Sequence, residues 1–186
     1  ASASMSSLRE LIHGIGGGAP EDRTVKAVFP GASSTIVSPE QFDTPMSFDA
    51  MRAVGSALGA GAFVVYDDSA CIVRATLAFS RFLYVESCAQ CPACKHGTGQ
   101  ITELLERIDR GEGSEVDVDT ILARSLTVTD AQRCALPTGE TLIALICDGR
   151  AWRFGGPAVP PSGLANVVSV KRSSFRSATL PQLHSP

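Results

Sequence analysis

Three cysteines stand within seven residues, in the run Glu86-Ser87-Cys88-Ala89-Gln90-Cys91-Pro92-Ala93-Cys94, and a fourth, Cys134, follows forty residues later. Thiolates are soft ligands that select iron–sulfur clusters, zinc or copper(I). Thiol–disulfide exchange needs one C-x-x-C pair, and C-x2-C-x2-C supplies a sulfur beyond that need. A loop this short can wrap three corners of a cubane while a distant cysteine holds the fourth. The spacing points to one [4Fe–4S] cluster and to one-electron transfer. A structural four-cysteine zinc site is the alternative. Such sites usually come as two separated pairs, and a three-plus-one arrangement favours the cubane. Cys71 and Cys147 lie beside Ile72-Val73 and Leu145-Ile146 and read as buried thiols packing as small hydrophobes. Either is an alternative to Cys134 as fourth ligand.

The rest of the composition narrows the class. A chain of 186 residues holds one ordinary domain or two small ones. With a net charge of −3 and 6% aromatics there is no basic stripe and little to stack on bases, so nucleic acid is not an expected partner. The most apolar stretch, Ile72 to Val85, carries Arg74 and Arg81 and reads as a buried helix, not a bilayer span. The Ala/Ser-rich start shows no secretory h-region, and the cysteines are clustered, not spread as a disulfide framework. A reducing compartment follows, the cytoplasm or an organelle matrix.

The elements that must position the cysteines divide the sequence in three. Residues 1–70 read as α+β. A short helix follows Ser6-Ser7 and stops at Gly14 and Gly16-Gly17-Gly18, and a strand over Thr24–Phe29 ends at Pro30-Gly31. Thr35-Ile36-Val37 is a second strand candidate, Ser47–Leu58 a helix capped by Ser47, and Ala62–Tyr66 a further strand. Strands interleaved with helices predict a small mixed sheet packed on helix. Residues 71–150 read as four helices, Ile72–Val85, Lys95–Arg110, Val118–Leu126 with Asp117 as cap, and Glu140–Cys147, forming a small four-helix bundle. Residues 151–186, rich in Pro, Ser and basic side chains, read as an extended tail. Within it, Lys171-Arg172 and Arg176 make a charge cluster.

The cysteine run and its flank, Lys95-His96-Gly97-Thr98-Gly99, resemble the ESCG-x-C-x-PCR-x-GTG signature. That signature belongs to the NADH-binding flavoprotein subunit of respiratory complex I and its relatives in NAD-linked hydrogenases and formate dehydrogenases. Cys134-Ala135-Leu136 resembles the CAL of that family's fourth ligand, which favours Cys134 over Cys71 and Cys147. Leu8-Arg9-Glu10-Leu11-Ile12, Gly16-Gly17-Gly18, Lys26-Ala27-Val28-Phe29-Pro30-Gly31 and Gly55-Ser56-x-Leu58-Gly59-x-Gly61 resemble its soluble-ligand-binding β-grasp module. The resemblance implies an α+β chain, a β-grasp (ubiquitin-like) domain at 1–70 leading into a helical [4Fe–4S] domain at 71–150. It departs in three ways. Pro92 follows the second cysteine instead of preceding the third, Lys95 replaces an Arg, and the large domain that binds FMN and NADH has no counterpart. Gly14-x-Gly16-Gly17-Gly18 lacks the flanking strand and helix of a dinucleotide fingerprint, and no Lys-Ser/Thr follows as in a phosphate-binding loop.

The expected function is therefore that of an electron-transfer subunit, or a piece of a longer flavoprotein, holding one [4Fe–4S] cluster on Cys88, Cys91, Cys94 and Cys134. It relays single electrons from a partner flavin, with FMN and NAD bound on a partner or missing domain. The expected partners are a flavoprotein and other iron–sulfur subunits of an NAD(P)H-linked oxidoreductase. No membrane span of its own is expected, and it is peripheral to a membrane only through the complex. Alone it makes and breaks no substrate bond. The rival is a ligand- or partner-binding module with structural zinc. Lys95 is read either as positive charge near the sulfurs or as part of a solvated helix start. His96 is read as solvated, and Gly97 and Gly99 as letting backbone approach the cluster.

Overall fold

In the computed structural model, residues 6–129 and 134–147 are described; the basic cluster at 171–176 and the tail lie outside them. The elements run in the order of a π-helical turn Glu10–Ile15, β1 (Val25–Pro30), α1 (Phe48–Ala53), β2 (Phe63–Asp67), α2 (Ile72–Glu86), α3 (Pro92–Asp109), α4 (Glu115–Ser125) and α5 (Leu136–Ala144), which runs on as a 3-10 turn, Leu145–Cys147. The fold is α+β, with antiparallel β1 and β2 as its described sheet.

β1 explains how sheet and helices join. Five of its six residues are buried, as expected when both faces are covered. A register irregularity between Val25 and Ala27 breaks the alternation. Val25 and Val28 therefore meet Leu8, Ile12, Val37, Phe42 and Met51 on one face. Ala27 and Phe29 meet Ile72, Ala75, Leu83, Ile143 and Ile146 of the helices on the other. Phe29 stacks on Phe79 of α2 with ring centroids 4.7 Å apart. One apolar layer thus spans both the strand-rich and the helical halves of the sequence.

Several expected boundaries move. Thr35–Val37 is not a strand: only Val37 bridges Val28. The helix expected over Ser47–Leu58 keeps its cap, the Ser47 side chain accepting from the Ala50 N–H, but ends at Ala53 because Gly55 takes a left-handed φ of 78°. α3 starts at Pro92, since proline suits the first helical turn. α4 is capped by Ser114, and Asp117 is the reciprocal partner in a capping box, accepting from the Ser114 N–H at 2.8 Å. The last helix begins at Leu136, four residues before the expected start.

α2 and α3 form an antiparallel hairpin. Arg74 pairs with Asp109 at 3.1 Å and Arg81 with Glu106. Gly99 faces Tyr84, where a Cβ would lie 3.0 Å from the ring, and a Cβ on Gly97 would lie 2.6 Å from Cγ1 of the buried Val128. Both glycines therefore serve helix packing. Between these helices and α5 runs a buried polar ladder. The Thr98 hydroxyl donates to the Cys94 carbonyl (2.9 Å) and the Thr102 hydroxyl reaches the Thr98 carbonyl (2.8 Å). Thr102 Oγ1 meets Ser80 Oγ (2.9 Å), and Ser80 Oγ lies 2.6 Å from Glu140 Oε1. Glu140 is fully buried, and burial pushes its carboxyl up to about 8, partly opposed by the Ser80 hydrogen bond.

Two measurements check this packing. Gly97→Ala gains helix propensity but overpacks Val128, so urea unfolding shows a net loss of about 1–2 kcal/mol. In a Val128→Ala background the same change is neutral or stabilising; equal losses in both backgrounds refute the contact. The second concerns pH. Between the ordinary carboxyl value of 4.5 and about 8, folded Glu140 keeps a proton that the unfolded chain has lost. Its contribution to stability therefore falls as pH rises through that window, by up to about 5 kcal/mol at about 1.4 kcal/mol per pH unit. Glu140→Gln removes this slope, and equal slopes in both proteins would contradict it.

Candidate metal centre

The site is built where three helix ends meet. α2 ends at Glu86, and Ser87 turns the chain into an extended conformation. Cys88 follows, exposed, and then Ala89 with φ 62°, the one described non-glycine residue in the left-handed region. Cys91 is the N-cap of α3, and Cys94 stands buried in its first turn. Cys134 immediately precedes Ala135, the N-cap of α5. Cys88, Cys91, Cys94 and Cys134, the four cysteines predicted as ligands, all line one cavity of about 480 Å³, together with Leu136 and Pro137 of α5. None of the six cysteines is in a disulfide.

The electrostatics suit thiolates. Helix N-termini carry partial positive charge, which favours an anionic sulfur in the first turn, and both α3 and α5 begin at the cavity. The C-terminus of α2 is the opposing influence, a negative helix end beside the same loop. Lys95 offsets it: its Nζ donates to the Tyr84 carbonyl at 2.7 Å and lies 4.2 Å from the Tyr84 ring centroid. Lys95 is half-buried and so is not part of a solvated helix start; it ties the end of α2 to the start of α3. The Ser87 hydroxyl lies 3.4 Å from Cys94 Sγ, within reach of a hydrogen bond to sulfur. His96 is exposed, as read.

Cys147 is buried as expected, and burial, then the neighbouring Glu140, pushes its thiol up to about 12. Cys71 is only half-buried, because it stands at the N-cap of α2 where the helix surfaces. Neither lines the cysteine cavity. Sequence reasoning missed Ser87, Glu140 and the left-handed Ala89. For Ala89 a signal existed: the resembling signature carries Gly directly after its first cysteine, as a positive φ favours. Glu140 carried none, since a glutamate in a helix reads as surface.

A second hollow of about 350 Å³ lies by Gly17, Gly18, Arg9 and Arg23 in the strand-rich half. Its arginines are already engaged, Arg9 by Asp43 at 2.6 Å and Arg23 by Asp67 and Asp68 at 3.9 and 3.7 Å. No described helix is long and apolar enough to cross a membrane.

Comparison with known proteins bears on the cysteine cavity directly. Residues 74–146 match the NADH-ubiquinone oxidoreductase-F iron-sulfur binding region. The chain is 37% identical over 137 residues to the F 2 subunit of the NADH-quinone oxidoreductase of Rhizobium meliloti (strain 1021), covering 73% of this chain and 32% of that one. To the HndC subunit of the NADP-reducing hydrogenase of Solidesulfovibrio fructosivorans it is 34% identical over 137 residues, covering 73% and 28%. The chain thus spans about a third of the length of these relatives. A crystal structure of an NAD+-reducing [NiFe]-hydrogenase in the air-oxidized state superposes with a TM-score of 0.66 over 83% of this chain and 27% of that one, at 23% identity, a likeness of fold. The chain therefore resembles part of the NADH-linked subunits of these oxidoreductases and hydrogenases, and within it residues 74–146 resemble the NADH-ubiquinone oxidoreductase-F iron-sulfur binding region.

Proposed function

We propose that Cys88, Cys91, Cys94 and Cys134 hold one [4Fe–4S] cluster and that the chain relays single electrons within an NAD(P)H-linked oxidoreductase. The observation that carries this is the single cavity lined by all four thiols at the ends of α2, α3 and α5. A structural zinc site draws four sulfurs to about 2.3 Å from one ion. Thiols ringing a cavity suit a cluster, whose corners are separate irons. When bound, the cluster supplies one-electron redox chemistry.

The chain's own residues do the rest. The four thiolates hold iron, and the N-termini of α3 and α5 stabilise their charge. The Ser87 hydroxyl is placed to hydrogen-bond to the Cys94 sulfur, a contact of the kind that tunes cluster potential. In this reading residues 71–150 are the cluster-bearing helical domain, a four-helix bundle, and residues 1–70 a β-grasp support packed on it. The electron donor is a flavin held on a partner or on another part of a longer polypeptide, and the acceptor is a further iron–sulfur subunit. Docking is supported by Phe82 and Val85 of α2, 49% and 64% exposed near the end of the helix that leads into the cysteine loop. Other apolar residues of the same stretches, such as Ile72, Leu83 and Ile143, are core.

Anaerobic iron and sulfide analysis, with electron paramagnetic resonance of the dithionite-reduced protein, gives about four iron and four sulfide per chain. One zinc and no sulfide would sink the proposal. Cys134→Ser loses the cluster, whereas Cys71→Ser and Cys147→Ser retain it; cluster loss from Cys147→Ser alone shifts the fourth ligand. Calorimetry finds no tight binding of NADH or FMN by the isolated chain, and micromolar binding of either contradicts the division of labour proposed.

A further inference from the structure

Glu140 Oε2 is the one buried side-chain oxygen or nitrogen among the described residues that lacks a hydrogen-bond partner. The other oxygen, Oε1, starts a series of three short oxygen–oxygen contacts: to Ser80 Oγ (2.6 Å), on to Thr102 Oγ1 (2.9 Å), and on to the Thr98 carbonyl (2.8 Å). Each contact requires one proton, and the Ser80 and Thr102 hydroxyls carry one each. The third proton comes from the carboxyl group. As a neutral acid, Glu140 donates to Ser80, Ser80 to Thr102, and Thr102 to the carbonyl, and every contact is satisfied. As a carboxylate it takes the Ser80 proton, and one contact further along is left as bare oxygen against oxygen. Ionisation would also leave a charged oxygen buried without a partner, far costlier than a lone neutral carbonyl oxygen.

This acid stands close behind the cysteine cavity. Leu136 and Pro137 line the cavity, and Glu140 lies one turn, about 5.4 Å, further along α5. On the other helix the ladder continues from Thr98 to the carbonyl of Cys94. We infer that Glu140 is a redox-linked proton site, holding its proton more tightly when the cysteine-held centre is reduced and releasing it more readily when that centre is oxidised. The inference rests on the cluster reading above. At pH values where the oxidised chain has lost the Glu140 proton, the balance is one electron from a one-electron donor, a reduced flavin or dithionite, to the centre, and one proton from the buffer acid to the Glu140 carboxylate, leaving the buffer base. Reoxidation returns both. The cause is Coulombic: a negative charge added nearby, in an apolar interior, opposes a second one on the carboxyl.

Glu86, Glu103, Glu115, Asp119 and Arg124 on the packed helices are exposed, and Glu86 also lines the cysteine cavity, while other charges there are paired. Arg74 and Arg81 of α2 pair with Asp109 and Glu106 of α3, Asp117 of α4 is held by Ser114 and Arg107, and Lys95 sits on the Tyr84 carbonyl. Tyr66, packed on the same core, is raised by burial and stays neutral. Cys147 shares the field of Glu140, and with its thiol up to about 12 it stays neutral while Glu140 titrates.

The test is the midpoint potential of the cluster-loaded chain as a function of pH, for wild type and Glu140→Gln. The wild-type potential is flat where Glu140 keeps its proton in both redox states and falls as pH rises past the point where the oxidised chain loses it, the reduction equilibrium shifting up to tenfold per pH unit, about 59 mV. Glu140→Gln is flat throughout. Independently of any potential, infrared difference spectra of wild type across the same pH range show a carboxylic-acid C=O band lost as Glu140 ionises, absent in Glu140→Gln. Equal slopes in the two proteins, a flat wild-type potential, or no such band overturns the inference. A failure of Glu140→Gln to fold leaves the wild-type slope to decide. Iron and sulfide analysis separates the two levels: no cluster overturns this inference and the cluster reading together, whereas a loaded cluster with a flat wild-type potential overturns this inference alone.

Discussion

Everything at the cysteine cavity depends on closing the α2–α3 hairpin in five residues, 87–91. A turn that short places the carbonyl end of one helix beside the N–H end of the next. It also forces a left-handed residue at Ala89, which costs an alanine roughly 1–2 kcal/mol. Two of the three clustered cysteines lie in the turn and the third in the first turn of α3, so hairpin geometry sets their spacing in space. Lys95 resolves the electrostatic conflict of this arrangement. By binding the last carbonyls of α2 it removes a negative helix end from beside the sulfurs and locks the two helices together. An arginine at this position, as in the resembling signature, would bring a different donor geometry to the same carbonyls.

The seam between the helices serves two purposes at once. Gly97 and Gly99 let Val128 and Tyr84 approach α3 closely, while Ser80, Thr98 and Thr102 place a column of hydroxyls along the same contact. Such a column is stable only if every proton finds an acceptor. The buried Glu140 completes the count and brings a titratable group into a core otherwise closed by Ile101, Leu105, Ile121 and Ile143. The two halves of the chain are not independent of this core. Phe29 of β1 is packed in the same layer as Leu83 and Ile146, so the sheet supports the helices that carry the cysteines.

Element type was legible wherever periodicity was strong. α2 and α3 declare themselves through apolar residues at helical spacing, and the first strand through its β-branched run ending at Pro30-Gly31. Boundaries were less legible, for reasons of local chemistry. Pro92 starts α3 inside the cysteine motif, three residues before the expected start at Lys95, because a proline marks a loop and a first helical turn equally well. Ser114, not Asp117, caps α4, because in a capping box the serine and the acidic residue three positions on share the work. Val37 meets β1 at one bridge only, since Pro39 begins a 3-10 turn two residues later.

By itself the sequence determined the chemistry available: four thiols in a three-plus-one pattern, an α+β chain, and flanks that resemble one family of redox subunits. These survive in one dimension because ligand type and short-range spacing are local properties. Tertiary structure decided what spacing cannot express. It brought Cys134 to the rim of the cavity begun by Cys88, Cys91 and Cys94, and left Cys71 and Cys147 outside it. It turned Lys95 toward the end of α2, made Gly97 and Gly99 packing residues, and buried Glu140 against Ser80. Each of these outcomes depends on contacts between residues far apart in the chain, where burial and partner, not residue type, set the charge a group carries.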